Sequence, residues 1–140
     1  MDCRFNSAKR NLFRKLRRLI GDQRVIEAME QVPRESFVPP EHRLLAYEDI
    51  PLDIGQGQSI SQPSIVALMT SALKLSPMDS VLEIGTGSGY QCAILSLLVP
   101  DGRVVTVERL PSLARDASDL LNLLGYHNVQ VSTPGITLGC

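Results

Sequence analysis

With 140 residues, a formal net charge of -1 and 44% hydrophobic residues, the chain reads as one ordinary soluble domain or a piece of one, long enough to bury a core. No apolar run reaches the length of a membrane span, and the basic start lacks the apolar segment of a signal peptide. Cys3, Cys92 and Cys140 are odd in number and far apart, which excludes a disulfide framework and a zinc spacing and fits a reducing cytoplasm.

Residues 7–20 read as an amphipathic helix with Ser7 as its N-cap and Leu12, Leu16, Leu19 and Ile20 at helical spacing. Its other face carries Lys9, Arg10, Arg14, Lys15, Arg17 and Arg18. With Arg4 these are seven of the fourteen basic residues, so the rest of the chain is acidic on balance. A solvated helix face is the simplest reading of this stripe; RNA binding, a membrane surface or a transit peptide are the alternatives. The first two aromatics, Phe5 and Phe13, suit a core as well as they suit stacking, so nucleic acid is not expected as a partner. Gly21 and Asp22 break and recap the chain, and Val25, Ile26, Met29 and Val32 form a second helix that must stop by Pro33.

"VPRESFVPPEHR" is a proline-rich connector, "AYEDIPLDIG" an extended segment, and "GQGQSISQP" an uncharged stretch of small and amide side chains. Pro63 opens a third helix, where its missing N–H is harmless. Ile65, Val66, Leu68, Met69, Ala72 and Leu73 are its expected buried stripe. From there the pattern is strand-helix-strand-helix-strand: "SVLEI", "YQCAILSLLV", "RVVTVE", a helix from Pro111 to Leu124 closed by Gly125, and "NVQVS". Helices of this length between strands mean βαβ units and a parallel sheet.

Between the first of these strands and its helix lies "GTGSG". Gly85, Gly87 and Gly89 allow a ligand close to the backbone, and the following helix offers unpaired N–H groups. The spacing is G-x-G-x-G, not the dinucleotide G-x-G-x-x-G, which disfavours a nicotinamide oxidoreductase. A P-loop needs a lysine that this turn lacks, and a hydrolase elbow needs glycine where Thr86 stands. Glu108, at the end of the second strand, suits the two hydroxyls of a ribose held over the turn. His42 and His127 have no metal-ligand spacing, and Cys92 suits core packing.

"VLEIGTGSGY" followed by "VTVER" resembles the S-adenosylmethionine-binding half of a Rossmann-like methyltransferase. With "VPRESFVPPEHRLLAYEDIPLDIGQGQSISQP" the chain resembles the protein-L-isoaspartate O-methyltransferase family over about residues 25–131. The resemblance implies an α/β Rossmann-like fold and methyl transfer from S-adenosylmethionine to the α-carboxylate of L-isoaspartyl residues in aged proteins. It implies Ser61 as the active-site serine. It also implies Gly85, Thr86, Gly87 and Ser88 as the cofactor turn, Glu108 as the ribose acid, and Ser59 and Ile60 as residues touching cofactor and substrate. Tyr47, Glu48 and Asp49 match the family segment before the loop and receive no role.

A carboxylate seat formed by the Ser61 hydroxyl and the N–H groups of the third helix is expected, with Ser61 or Gln62 as a simple N-cap the alternative. The expected organisation is a single domain over residues 1–140. Residues 1–54 form the N-terminal helices and connector, 55–63 the substrate and cofactor loop, 64–132 the first half of the cofactor domain and 133–140 a divergent tail.

The family's third strand runs into a Gly-Asp-Gly turn whose aspartate contacts adenine, whereas here no aspartate follows Asp119. The reading is therefore a C-terminally truncated member, an incomplete Rossmann-like methyltransferase domain with three parallel strands and the later ones missing. "SVLEI" would then be an open edge. Self-association through that edge, a patch by "ITLGC", an inactive S-adenosylmethionine-binding remnant and an interaction module are the expectations that follow.

Overall fold

The computed structural model describes residues 3–134, which fall into two compact units divided between Lys74 and Leu75. In the first unit, α1 (Cys3–Leu19), α2 (Gln23–Gln31) and α3 (Pro63–Leu73) pack on one another. Leu12, Phe13 and Leu16 of α1 are buried, while Arg10, Arg14, Arg17 and Arg18 face out. The helix starts four residues earlier than its pattern suggested. Ser7 lies inside it and accepts a hydrogen bond from Arg10 at 3.3 Å, so it is not the cap. Tertiary contacts account for the extra turn: Phe5 meets Tyr47 edge to face at 5.0 Å, and the Lys9 ammonium lies 5.1 Å from the same ring's centre. Asp22 caps α2 as expected, its carboxylate accepting from the N–H groups of Arg24 and Val25.

The proline-rich connector forms two 3-10 turns, Arg34–Phe37 and Pro40–Leu45. The uncharged stretch is not a free loop. Strands β1 (Leu52–Gly55) and β2 (Gln58–Ile60) form an antiparallel hairpin, with Leu52 opposite Ile60 and Asp53 opposite Ser59. Its turn runs through the left-handed backbone at Gly55, Gln56 and Gly57 (φ +93°, +54° and +71°), which explains two of the glycines.

Pro63 does open α3, but the buried face of that helix differs from the expected stripe. Pro63, Ser64, Val66, Ala67 and Thr70 are buried, whereas Ile65, Leu68, Leu73 and Met69 (65%) are exposed. The helix is apolar on nearly every side, so periodicity could not select a face.

In the second unit, β3 (Ser80–Ile84), β4 (Arg103–Val107) and β5 (Val129–Ser132) form a parallel sheet in the order β3-β4-β5. Val81 pairs with Val104 and Val104 with Val129. The connecting helices are α4 (Tyr90–Leu98) and α5 (Pro111–Leu124), the latter closed by left-handed Gly125. The three strands and two helices lie within two residues of their expected bounds. Among the described residues β3 is an edge strand, with Leu82 and Ile84 (77%) exposed. The suggested patch by "ITLGC" falls on residues outside those described.

Candidate functional site

The turn after β3 passes through Gly85, Gly87 and Gly89 with φ of +92°, +55° and +92°. An L side chain adopts these values rarely, so the alternating glycines are a backbone requirement. The turn is stitched to β4: the N–H groups of Gly85 and Thr86 donate to the Val107 carbonyl at 2.7 and 3.3 Å. A Cβ at Gly85 would meet nothing within 4 Å, so the backbone there faces open space. A Cβ at Gly89 would lie 3.4 Å from both Ala117 and Leu121, so this glycine also admits α5. One glycine leaves room for a ligand and the other for a helix.

Glu108 follows β4 and is buried. Its Oε1 accepts from the Gly87 N–H at 2.9 Å, and its Oε2 from the Leu110 N–H at 3.0 Å. A carboxylate has about four acceptor positions, so two remain for ligand hydroxyls. Open backbone at Gly85 beside an acid anchored to the same turn is an arrangement that fits a ribose-bearing ligand.

Thr86 is buried with its hydroxyl 2.6 Å from that of Thr106, which donates in turn to Glu83 Oε1 at 2.7 Å. The Thr86 side chain thus pins the turn to the sheet. Ser88 Oγ accepts from the Tyr90 N–H at 3.2 Å, at the start of α4. The thiol of Cys92, fully buried, donates to the same Glu83 oxygen at 2.9 Å.

Burial pushes the Glu83 carboxyl above its ordinary value; the bonds from Cys92 and Thr106 oppose the rise, and the nearby Glu108 carboxylate adds to it. Burial, followed by the Glu83 charge, pushes the Cys92 thiol far up, so it stays protonated and unreactive.

A raised folded-state pKa means that the native protein binds this proton more tightly than the unfolded chain. The favourable contribution is complete below the unfolded glutamate value and is lost as pH rises through the raised one. Glu83→Gln is therefore expected to flatten the decline in stability of the unliganded protein over that window. Urea melts at a series of pH values check this, and an unchanged pH slope in the variant would sink the assignment.

In the first unit, Ser59 is exposed on β2, Ile60 is buried and Ser61 is exposed just beyond the strand. The expected seat at α3 differs in one respect. Gln62 occupies the N-cap position without a side-chain cap bond, and its amide donates to Ser64 Oγ at 3.1 Å. The Ser64 N–H donates instead to Asp49 Oδ1 at 2.8 Å. Gln62 is thus the N-cap residue by position, as the alternative had it, but the capping side chain is that of Asp49 and not that of Ser61 or Gln62.

The other Asp49 oxygen accepts from the Lys15 ammonium at 2.6 Å. Burial tends to raise the Asp49 carboxyl, but the bonds from Lys15 and Ser64 outweigh it and hold the group below its ordinary value. A permanent anion suits the positive end of a helix.

Ser61 is held through its main chain, its carbonyl accepting from Arg34 Nη2 at 3.0 Å. Neither Arg34 nor Asp49 was assigned a role from sequence. They lie 27 and 15 residues from their partners, and no local spacing signals such contacts.

Along α1, Lys9, Arg10, Arg14 and Arg17 line an open groove of about 600 Å³, where Arg17 pairs with Glu30. Among the described residues no group of histidine, cysteine or carboxylate side chains is arranged to hold a metal ion.

Residues 7–139 match the family described as protein-L-isoaspartate(D-aspartate) O-methyltransferase, a longer match than the resemblance over residues 25–131. A protein-L-isoaspartate O-methyltransferase 2 of Nitrosococcus oceani is 57% identical over 112 residues, covering 80% of this chain and 50% of the relative. A protein-L-isoaspartate O-methyltransferase of Ignicoccus hospitalis is 53% identical over 126 residues, covering 88% and 60%. The chain thus spans about half the length of the curated relatives it matches.

Among solved structures, a protein-L-isoaspartate O-methyltransferase superposes with a TM-score of 0.78 at 34% identity, over 88% of this chain and 41% of the other. A Plasmodium falciparum structure described as a beta-aspartate methyltransferase (PCMT), in complex with S-adenosyl-L-homocysteine, gives 0.75 at 26% identity, over 88% and 61%.

Proposed function

The chain belongs to the protein-L-isoaspartate(D-aspartate) O-methyltransferase family, and from that premise we propose that it takes part in protein repair, methylating the α-carboxylate of L-isoaspartyl residues. S-adenosylmethionine is the proposed donor and supplies an electrophilic methyl on a sulfonium when bound. The observation that carries this reading is the bond from Gly87 N–H to Glu108, which sets an acid with acceptor positions to spare beside a glycine turn open to a ligand.

In this reading Gly85, Thr86, Gly87 and Ser88 supply the backbone of the donor turn, and Glu108 accepts from the ribose hydroxyls. Ser59 and Ile60 flank the donor and substrate, and Ser61 orients the carboxylate. The nucleophile is already ionised at neutral pH, so no strong general base is required. Two opposite charges are consumed, and the protein's task is in-line positioning and exclusion of water. Uncharged groups such as the Ser61 hydroxyl orient a carboxylate without pinning it in its ground state.

The partners in this reading are isoaspartyl proteins and peptides, not nucleic acid, in the cytoplasm, with residues 1–140 acting as one domain. No helix among the described residues is long and apolar enough to cross a membrane. Self-association through the β3 edge is part of the proposal, supported by exposed Leu82 and Ile84; sedimentation of the chain at rising concentration measures it, and a monomer throughout would refute it.

Labelled S-adenosylmethionine with an isoaspartyl peptide, and the aspartyl peptide as control, tests the activity. Selective transfer to the isoaspartyl form is expected. Ser61→Ala is expected to lower kcat/KM about tenfold to a hundredfold, the scale of a misplaced reacting group. Equal transfer by both enzymes would remove Ser61 from the mechanism. Donor binding without transfer would leave the chain as a binding half.

A further inference from the structure

We propose that Arg34 is a positioning residue that fixes the main chain of Ser61 and thereby aims its hydroxyl; this rests on the role proposed for Ser61. Arg34 is the largest fully buried side chain among the described residues, at 0% exposure. A guanidinium is rarely taken wholly out of water unless its donors meet acceptors in fixed directions. Its Nε donates to the Ala46 carbonyl at 2.6 Å and its Nη2 to the Ser61 carbonyl at 3.0 Å. One planar fork therefore ties two segments that are 15 residues apart.

The Arg34 side is itself anchored. Its backbone N–H donates to the Tyr47 hydroxyl at 3.2 Å, and that hydroxyl donates to Glu35 Oε1 at 2.6 Å. The Tyr47 ring is in turn held by Phe5 and Lys9 of α1. Asp49, two residues beyond Tyr47, grips the Ser64 N–H.

The segment carrying Ser61 is thus held just before its side chain by the pairing of Ile60 with Leu52, and just after it by a cation on the Ser61 carbonyl and an anion on the Ser64 amide. The Ser61 side chain itself is left exposed. An ordinary surface turn of this length needs neither a buried charge nor contacts from so far away in sequence. Directional bonds to the main chain define where the hydroxyl points without taking up the hydroxyl itself.

Arg34→Lys keeps the charge and loses the fork. In the full chain this variant is expected to lower kcat for the isoaspartyl peptide about tenfold or more, because the reacting group is misplaced. Affinity for S-adenosylhomocysteine, read by calorimetry, is expected to stay within about twofold. In a Ser61→Ala background Arg34→Lys is expected to add no further loss in kcat. Additive losses, or wild-type kcat in a folded Arg34→Lys protein, would overturn the proposal.

Backbone ¹⁵N relaxation of the wild-type chain tests the clamp without any variant. Residues 59–62 should show order parameters of about 0.85, as in α2, and values below about 0.6 would overturn it. If no isoaspartyl peptide is methylated at all, the function proposed above fails, and relaxation still decides the part assigned to Arg34.

Discussion

Glu108→Ala should weaken binding of S-adenosylhomocysteine about a hundredfold. A hydrogen bond to a charged group contributes about 1.5–3 kcal/mol when its partner is lost, and 1.4 kcal/mol is a factor of ten in affinity. Two losses combine here. The ligand loses the carboxylate proposed to accept from its ribose. The turn also loses its anchor, because the same carboxylate holds the N–H groups of Gly87 and Leu110 at 2.9 and 3.0 Å. A turn with three left-handed glycines has little intrinsic preference for its bound shape.

Glu108→Gln separates the two losses. Its amide retains one acceptor oxygen but turns an N–H group toward a backbone donor, so one of the two anchors fails. It should bind with intermediate affinity. Calorimetry on wild type and both variants reads the series, and undiminished binding by Glu108→Ala would show that the acid serves the fold alone.

Gly102→Ala should be among the most damaging single substitutions in the second unit. A Cβ there would lie 1.9 Å from the Asp79 carbonyl oxygen and 2.9 Å from the Asp79 and Met78 carbonyl carbons. These are main-chain atoms at the foot of the sheet, and no side chain can swing away to relieve them. The same carbonyl accepts from the Arg103 N–H at 3.3 Å, where Ser80 and Arg103 begin the pairing of β3 with β4. Accommodating the methyl must move one strand start away from the other.

The expected loss is about 3 kcal/mol or more, at the upper end of the range for single substitutions. For a chain of this size that corresponds to a fall in Tm on the order of 10 °C. Gly21→Ala is the matched control. A Cβ at Gly21 meets nothing within 4 Å and its φ is ordinary, so that change should be neutral or slightly stabilising. Thermal melts of the pair measure the contrast, and a neutral Gly102→Ala would mean that the strand starts move freely.

Local signals determined much of this protein from sequence alone. Pro63 at the first turn of α3, Asp22 before α2, Gly125 after α5 and the alternation of apolar strands with helices act within a few residues of themselves. They placed the parallel sheet and, within two residues, both ends of its strands and connecting helices. The glycine turn was legible for the same reason, since positive φ is a property of single residues. Glu108 was legible as an acid at the end of the second strand, but its bond to the Gly87 N–H of the turn was not.

Tertiary structure alone decided what depends on residues distant in the chain. The apolar stripe of α3 could not choose its face, because Ile65, Leu68 and Met69 are as apolar as Val66 and Ala67. "GQGQSISQP" read as a loop and became half of a hairpin, because strand pairing with residues 52–55 is set by a partner segment. The cap on α3 is Asp49 and the hold on Ser61 is Arg34, each reaching across intervening elements. Composition specifies which groups are available for such bonds, and only the packed chain brings donor and acceptor together.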